Sequence, residues 1–138
     1  MSSLIRFGIS LDSELSRKFD ERIKRKAYTN RSEAIRDLIR QDLVQQEWLQ
    51  GSEVAGAITL IYDHHQRELQ NKITDIQHDF QNVIISAQHI HLDHHNCLEI
   101  IAVKGNPAGV EKLAAMLKAV KGVKHTTLSM STTGKALT

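Results

Sequence analysis

The feature that most constrains the fold of this chain is a single short strand followed by two helices. No second strand lies nearby in the sequence to pair with it. Residues 5–11 alternate strictly between apolar and other side chains, which is the period of a half-buried strand. A segment of about 50 residues is too short for a good core of its own, and a lone strand cannot satisfy its backbone hydrogen-bonding groups. The pattern therefore predicts a homodimer in which two copies of the strand pair as an antiparallel ribbon.

Two amphipathic helices are predicted after the strand. Asp12 offers an N-cap to a helix over residues 13–26, in which apolar side chains recur every four residues. Asn30 and Glu33 have the spacing of a capping box and begin a second helix over roughly 31–48. The apolar faces of both helices are expected to cover the ribbon.

The outer face of this ribbon carries side chains that suit a DNA groove. Arg6, Gly8 and Ser10 lie opposite the apolar face, and a two-stranded ribbon fits the major groove, where polar side chains read base edges. The net charge of the chain is +2, and all of it comes from residues 1–50. The segment is therefore interpreted as DNA-binding, and an ordinary solvated helix face is the alternative.

The rest of the chain has the pattern of a βαββαβ domain. Helical spacing covers residues 64–79, and a second helix opens at Pro107 and is expected to be capped by Gly122. Strand-like runs occupy 54–63, 82–92, 97–104 and 123–130. The predicted fold class is α+β, with an antiparallel sheet that has helices on one face and is free to pair across subunits on the other.

The predicted organisation is two domains joined by a short linker. Residues 1–50 form the DNA-binding domain, 51–53 a hinge, 54–131 the βαββαβ domain and 132–138 a flexible tail. Trp48 is expected to pack between the domains. No apolar run approaches the roughly 20 residues that span a bilayer, the N-terminus lacks a secretory signal, and a lone cysteine requires no oxidising compartment. A cytoplasmic protein is expected.

Histidine and the only cysteine are concentrated in one stretch, since seven of the 8 histidines fall between positions 64 and 95. His89 and His91 are two apart on a strand and leave the same face. Cys97 begins the next strand of the hairpin and can fold back onto that face. Two imidazoles and a thiolate bind late first-row divalent metals strongly. A fourth ligand is needed, and His78 is the candidate, from the same chain or a neighbour.

Two runs of sequence resemble known regulators. The strand IRFGISLD and the run NRSEAIRDLIR at 30–40 resemble the ribbon-helix-helix repressors. HIHLDHHNCLEI at 89–100, with IQHD at 76–79, is similar to the nickel-responsive repressor family, and the likeness covers roughly residues 4–130. In that family a ribbon-helix-helix domain is fused to a regulatory domain of the ACT type, which agrees with the βαββαβ order.

The resemblance implies a set of metal ligands. Nickel, one Ni(II) per chain, would be four-coordinate and planar, held by His89, His91 and Cys97 of one subunit and His78 of another. Planar coordination by nitrogen and sulfur suits Ni(II), whereas zinc prefers a tetrahedron. The implied assembly is a homotetramer in which two ribbon-helix-helix dimers flank four regulatory domains.

The resemblance also implies roles in the N-terminal segment. Arg31 and Ser32, at the start of the second helix, would lie near a DNA phosphate, an anion site that helix N-termini supply. A weak potassium-like cation would lie near Glu33 and Asp37, for which a salt bridge is the ordinary explanation. The sequence departs from the family at Gly8, where a polar side chain is usual, so base reading would rest on Arg6, Ser10 and DNA shape.

The resemblance implies a nickel-dependent repressor that binds an inverted-repeat operator and controls nickel uptake genes. The protein is therefore not expected to be an enzyme. Three alternatives stay open. An ACT-type sensor of small molecules would make the histidines incidental. A zinc hydrolase needs an open coordination position and a base, and an antitoxin predicts a disordered tail where residues 54–130 look folded. For His64 and His65 the open roles are capping, packing or metal binding. For His94 and His95, in the turn, they are simple solvent exposure or transient metal contact.

Overall fold

The computed structural model describes residues 3–138, and these residues fall into two compact units divided between Gln41 and Asp42. Each unit is described by itself. Among the described residues no helix combines the length and the apolar character needed to cross a membrane.

The first unit contains helix α1 (Ser13–Arg25) and the first part of helix α2 (Arg31–Gln50). Both predicted N-caps are confirmed: Asp12 Oδ1 accepts from the Glu14 backbone N–H at 2.9 Å, and Asn30 Oδ1 accepts from the Glu33 backbone N–H at 2.9 Å. The carboxylate of Glu33, which would form the reciprocal half of a capping box, accepts instead from Arg36 at 2.6 Å. One side-chain bond therefore starts α2.

The segment before α1 has no regular structure in the single chain. Residues 3–12 are exposed and form no strand, so the strand predicted over 5–11 is not formed here. The side chains of its apolar face lie in solvent, with Phe7 73% and Ile9 53% exposed. The physical reason is that a strand is defined by its ladder of hydrogen bonds, and one copy of this segment has no strand to pair with.

The second unit contains a four-stranded antiparallel sheet with strand order β2-β3-β1-β4. The first and third strands in chain order lie side by side at its centre, as in a split βαβ arrangement. The α+β prediction is confirmed. The elements are β1 (Val54–Asp63), α3 (Arg67–Asp79), β2 (Ile84–His91), β3 (Asn96–Gly105), α4 (Pro107–Lys118) and β4 (His125–Met130).

The core of this unit lies between the sheet and its two helices. Alternate residues of β1 and β3 are fully buried, including Ile58, which is paired with Ile101 across the two strands. They pack with apolar side chains of α3 and α4 such as Ile73 and Leu113. The intervening residues of β1 and β3, on the other face, are only half-buried. One face of the sheet is therefore covered by the chain itself.

Two details concern the edges of this core, and the first of them differs from expectation. Helix α4 ends at Lys118 with Ala119 as its C-cap, so Gly122 does not cap it; Gly122 has a φ of 101° in the turn that follows. Trp48, at the end of α2, is buried in the core of the second unit, and its indole N–H donates to the Ser131 carbonyl at 2.8 Å.

Candidate metal centre and DNA-binding surface

The register of the β2–β3 hairpin places the predicted metal ligands on one face of the sheet. His91 pairs directly with Cys97, and His89 pairs with Glu99. Residues opposite each other on antiparallel strands share a face, with Cβ atoms about 4.5–5.5 Å apart. Cys97 and Glu99 are in phase with the buried residues of β3, so this is the face that carries the helices.

A third imidazole, that of His64, lies beside those of His89 and His91. It follows β1, two residues beyond Tyr62, which pairs with Cys97. The rings of His64 and His91 stack with centroids 4.3 Å apart, and one ligand atom from each of His64, His89 and His91 lies within 4.8 Å of the others. His64 Nδ1 is buried and has no hydrogen-bond partner among the described residues. Because buried polar atoms usually have a partner, this nitrogen is available to bind a metal ion.

Cys97 is fully buried. Its Sγ donates to the Tyr62 carbonyl at 3.3 Å, and burial, the largest cause, raises the pKa of the thiol. A metal bound there must displace this proton, because the thiolate is the ligand form. Binding at Cys97 should therefore release a proton and strengthen as the pH rises.

The donor set fits a late first-row divalent ion. Imidazole nitrogen suits nickel, copper and zinc, and an added thiolate favours the same ions over magnesium or calcium. The unpartnered His64 nitrogen and the pairing of His91 with Cys97 place such donors at one end of the sheet. Neither Cys97 nor His78 belongs to the described groups of ligand atoms within 4.8 Å of one another, so one chain does not gather all four predicted ligands.

His78 lies in the last turn of α3, and its side chain is exposed. An exposed imidazole at a helix end is accessible to another molecule. That is the position that a ligand donated to a neighbouring subunit requires.

Three residues around the site were missed by the sequence reasoning. Glu99 is a carboxylate only 9% exposed, which accepts from Gln77 Nε2 at 3.1 Å and from the Tyr62 hydroxyl at 3.4 Å. The same hydroxyl lies 3.4 Å from His89 Nδ1. Burial raises the pKa of Glu99, and the nearby His89 works against that rise. The available signal was the position of Glu99, in phase with Cys97 and Ile101 on β3.

The predicted base-reading residues are exposed in the first unit. Arg6, Gly8 and Ser10 all lie in solvent. A Cβ added at Gly8 would meet nothing within 4 Å, so nothing in the single chain requires glycine there. Side chains of this segment and of the two helices line an open groove of mixed polar and apolar character, whose apolar part includes Phe7, Phe19 and Ile35.

The predicted phosphate contacts lie at the N-terminus of α2. Ser32 is exposed there, and Arg31 forms a two-pronged ion pair with Asp20 of α1, at 2.8 and 2.7 Å. The hydrogen bond from Arg31 lowers the pKa of Asp20. Contact of the Arg31 guanidinium with a phosphate would require it to leave or share this carboxylate.

The two carboxylates predicted near a second cation already have partners within α1–α2. Asp37 accepts from the Tyr28 hydroxyl at 2.6 Å and from Arg40 at 3.1 Å, while Glu33 accepts from Arg36. The hydrogen bond from Tyr28, the largest cause, lowers the pKa of Asp37. The Asp37 carboxylate is thus favoured as an anion and is held in position by Tyr28 and Arg40.

Two protein families match the chain. The family described as "NikR C terminal nickel binding domain" matches residues 55–131, and the family described as "Ribbon-helix-helix protein, copG family" matches residues 5–46. The ribbon-helix-helix match falls mostly on the first unit of the structure, and the nickel-binding match falls within the second.

Curated relatives match over nearly their full length. A protein of Syntrophus aciditrophicus with the name "Putative nickel-responsive regulator" is 65% identical over 135 residues, covering 98% of each chain. One from Chlorobium limicola is 60% identical and covers 97% of this chain and 100% of its own. One from Nitratidesulfovibrio vulgaris strain Miyazaki F is 53% identical and covers 100% of both.

Among solved structures, an uncharacterized protein from Thermotoga maritima superimposes with a TM-score of 0.50 at 13% identity. The match covers 56% of this chain and 98% of that one. At this level of identity the likeness concerns the fold alone.

Proposed function

Because this chain belongs to the nickel-responsive regulator family, with a ribbon-helix-helix DNA-binding domain and a nickel-binding domain, we propose that it is a repressor whose specific DNA binding is switched on by Ni(II). The observation that carries the proposal is the pairing of His91 with Cys97, beside His89, on one face of a hairpin. These side chains supply the donors that such an ion prefers.

The proposed site is shared by two subunits. His89, His91 and Cys97 of one chain bind the metal, and His78 of a neighbouring chain completes the set, with one Ni(II) per chain. The exposure of His78 in the last turn of α3, and the pairing of Cys97 with His91 on the hairpin, support this division. When bound, nickel supplies the cross-link between the two chains.

Residues of this chain prepare the site. The Tyr62 hydroxyl lies within 3.4 Å of both His89 and Glu99, and Gln77 fixes the Glu99 carboxylate. Such outer partners orient ligating imidazoles and raise their basicity. The Cys97 thiol gives up its proton as it becomes a ligand, and the buried surroundings then strengthen its charge interaction with a cation.

The proposed DNA-binding unit is a pair of chains. The exposed apolar segment 5–11 and the groove beside it support pairing with a second copy, which forms a ribbon that presents Arg6, Gly8 and Ser10 to the major groove. Arg31 and Ser32 contact phosphates at its flanks. Two such pairs in a homotetramer read an inverted repeat, because a two-fold protein reads a two-fold site.

Metal and DNA are coupled through the assembly. Nickel shifts the protein toward its DNA-binding arrangement only if the metal binds that arrangement more tightly than the others. By reciprocity, the operator must then tighten nickel binding by the same factor. The protein acts by binding and not by catalysis, in the cytoplasm, on genes for nickel uptake. A potassium-like cation near Glu33 and Asp37 is a weaker part of the proposal, since both carboxylates already have partners.

Substitution of the cysteine tests the site. With Ni(II) added, the protein should show a thiolate-to-metal charge-transfer band, and Cys97→Ala should abolish it. His94→Ala is the matched control, since His94 lies in the same hairpin outside the proposed ligands, and it should keep the band. A band that survives Cys97→Ala would remove Cys97 from the site and with it the proposed switch.

A further inference from the structure

Helix α2 ends in the core of the second unit. Trp48 belongs to that core, and Val44, which is four residues earlier and therefore on the same face of the helix, packs against it. Trp48 is only 7% exposed, whereas Leu49, the next residue, is 80% exposed. The end of α2 is therefore attached to the second unit by one face.

The segment that follows β4 contacts this attached end of α2. The Trp48 indole N–H donates to the Ser131 carbonyl at 2.8 Å, and the Ser131 backbone N–H donates to the Ala55 carbonyl at 3.0 Å. Ser131 thus joins the indole to β1 through its own backbone. Lys135 Nζ lies 3.5 Å from the Glu53 carboxylate, but an ion pair between two exposed side chains contributes little. The indole hydrogen bond is therefore the stronger of these two side-chain contacts to the C-terminal segment.

A row of packed residues on one face of β1 leads from this attachment to the proposed nickel site. Gly56, near one end of β1, lies against the indole, since a Cβ added there would be 3.6 Å from the indole Cζ2. Tyr62, near the other end, pairs with the proposed ligand Cys97. The residues between them on this face, Ile58 and Leu60, are fully buried. Packed side chains of this kind carry coupling between distant sites.

We propose that residues 131–135 are a clasp for the end of α2, and that the closed clasp carries the effect of nickel from the sheet to the DNA-binding end of this helix. One helix runs from Arg31, a proposed phosphate contact, to Gln50. With the indole bond made, a change in the sheet moves the end of α2. With the bond broken, the end of α2 separates from the sheet and the change stays in the second unit. This inference rests on the proposed function, because it concerns how the metal acts on DNA.

Trp48→Phe tests the clasp in the full chain, because phenylalanine keeps an aromatic ring in the core and removes the N–H donor. The probe is the duplex that the wild-type chain selects from random DNA with Ni(II). The variant should bind Ni(II) as the wild type does, by titration of the charge-transfer band. Its nickel-dependent gain in affinity for the duplex should fall by about fivefold or more, the low end of coupling between sites.

Leu49→Ala is the matched control for this variant, since Leu49 is adjacent in sequence and exposed, and it should keep the full gain. A Trp48→Phe variant that keeps the full gain overturns the proposal. So does a variant that loses Ni(II) binding in the same proportion, because Trp48 would then only support the fold of the second unit.

Shortened chains test the same contact from its other side, without nickel or DNA. Trp48 is the only tryptophan, so its emission and its quenching by acrylamide report on this contact alone. A chain that ends at Met130 lacks the Ser131 carbonyl and should emit at longer wavelength and be quenched more strongly, with its far-UV circular dichroism unchanged. A chain that ends at Lys135 keeps both contacts and should behave as the full chain.

The two experiments separate the possible failures. Equal quenching in the two shortened chains would show that the C-terminal segment does not hold the indole, and would overturn the clasp. A wild-type chain with no nickel-dependent gain in DNA affinity would overturn the proposed function instead, and the quenching measurement would still decide whether the clasp exists.

Discussion

The two units of the molecule differ in how far one chain can complete them. In the second unit the sheet, α3 and α4 bury a continuous core, with Leu113 wholly inaccessible. In the first unit the apolar residues before and along the helices stay exposed, including Phe7 and Leu38 at 73% and 52%. The comparison teaches that one unit carries its core within the chain, whereas the other leaves apolar side chains exposed that the proposed pairing with a second copy would cover.

Leu113→Ala should give the largest loss of stability. The side chain is fully buried between α4 and the sheet, so truncation removes apolar burial and leaves a cavity, at a cost of about 2–5 kcal/mol. Urea unfolding of the full chain measures the change. A loss within about 0.5 kcal/mol, the scale of an ordinary surface change, would mean that the core is not closed as described.

Leu38→Ala sharpens the comparison, because its effect depends on whether a partner covers the first unit. In one chain alone a half-exposed leucine should matter little, within about 0.5 kcal/mol. If a second copy buries it, the loss should reach about 1–2 kcal/mol and should shift the unfolding midpoint with protein concentration. A small effect that is the same at every concentration would contradict the paired first unit.

Asn30→Ala tests a part of the first unit that needs no partner. The side chain caps α2 by accepting from the Glu33 N–H, and loss of such a cap costs about 1 kcal/mol. The effect should be independent of protein concentration, and Asn30→Asp should restore most of it. Circular dichroism during denaturation measures both, and an equal loss in both variants would assign the effect to something other than the cap.

Asp93 gives the smallest expected effect, a local one in the β2–β3 turn. Hydrogen bonds from the backbone N–H groups of Asn96 and His95, with help from the Asn96 side chain, lower the pKa of Asp93 to about 2. The pKa of Asp93 in the folded chain lies below its ordinary value. The ionised carboxylate therefore stabilises the turn at any pH above that ordinary value, and this contribution is lost as the pH falls through about 2. A carboxyl ¹³C NMR titration should place the midpoint there; a midpoint near 4 would contradict the turn geometry.

Much of the fold could be predicted because the sequence carries it in local periodicity. The strand-like runs of β1 and β3, the cap residues Asp12 and Asn30, and Pro107 at the start of α4 are each local signals in the chain. The N-terminal strand could be predicted and yet is not formed here, because pairing depends on a second copy. The end of α4 was misplaced because Gly122 has a positive φ in a turn rather than at the cap.

The site was less accessible to sequence reasoning because it depends on strand register. The spacing of His89 and His91 predicts their shared face, but nothing local indicates that His64, which follows β1, stacks on His91 of β2 across the intervening strand β3. The same holds for the Glu99 hydrogen bonds to Tyr62 and Gln77, and for the approach of His95 to Asp63. Such contacts appear only once β1 lies beside β3.

Selection from random duplex DNA, with Ni(II) and with a chelator, tests the central claim most directly. The full chain should enrich an inverted repeat when Ni(II) is present, with half-sites that each match one ribbon, and should enrich no sequence when the metal is removed. Enrichment of the same sequence in chelator, or of no sequence with one nickel bound per chain, would contradict the proposal that the metal switches DNA binding on.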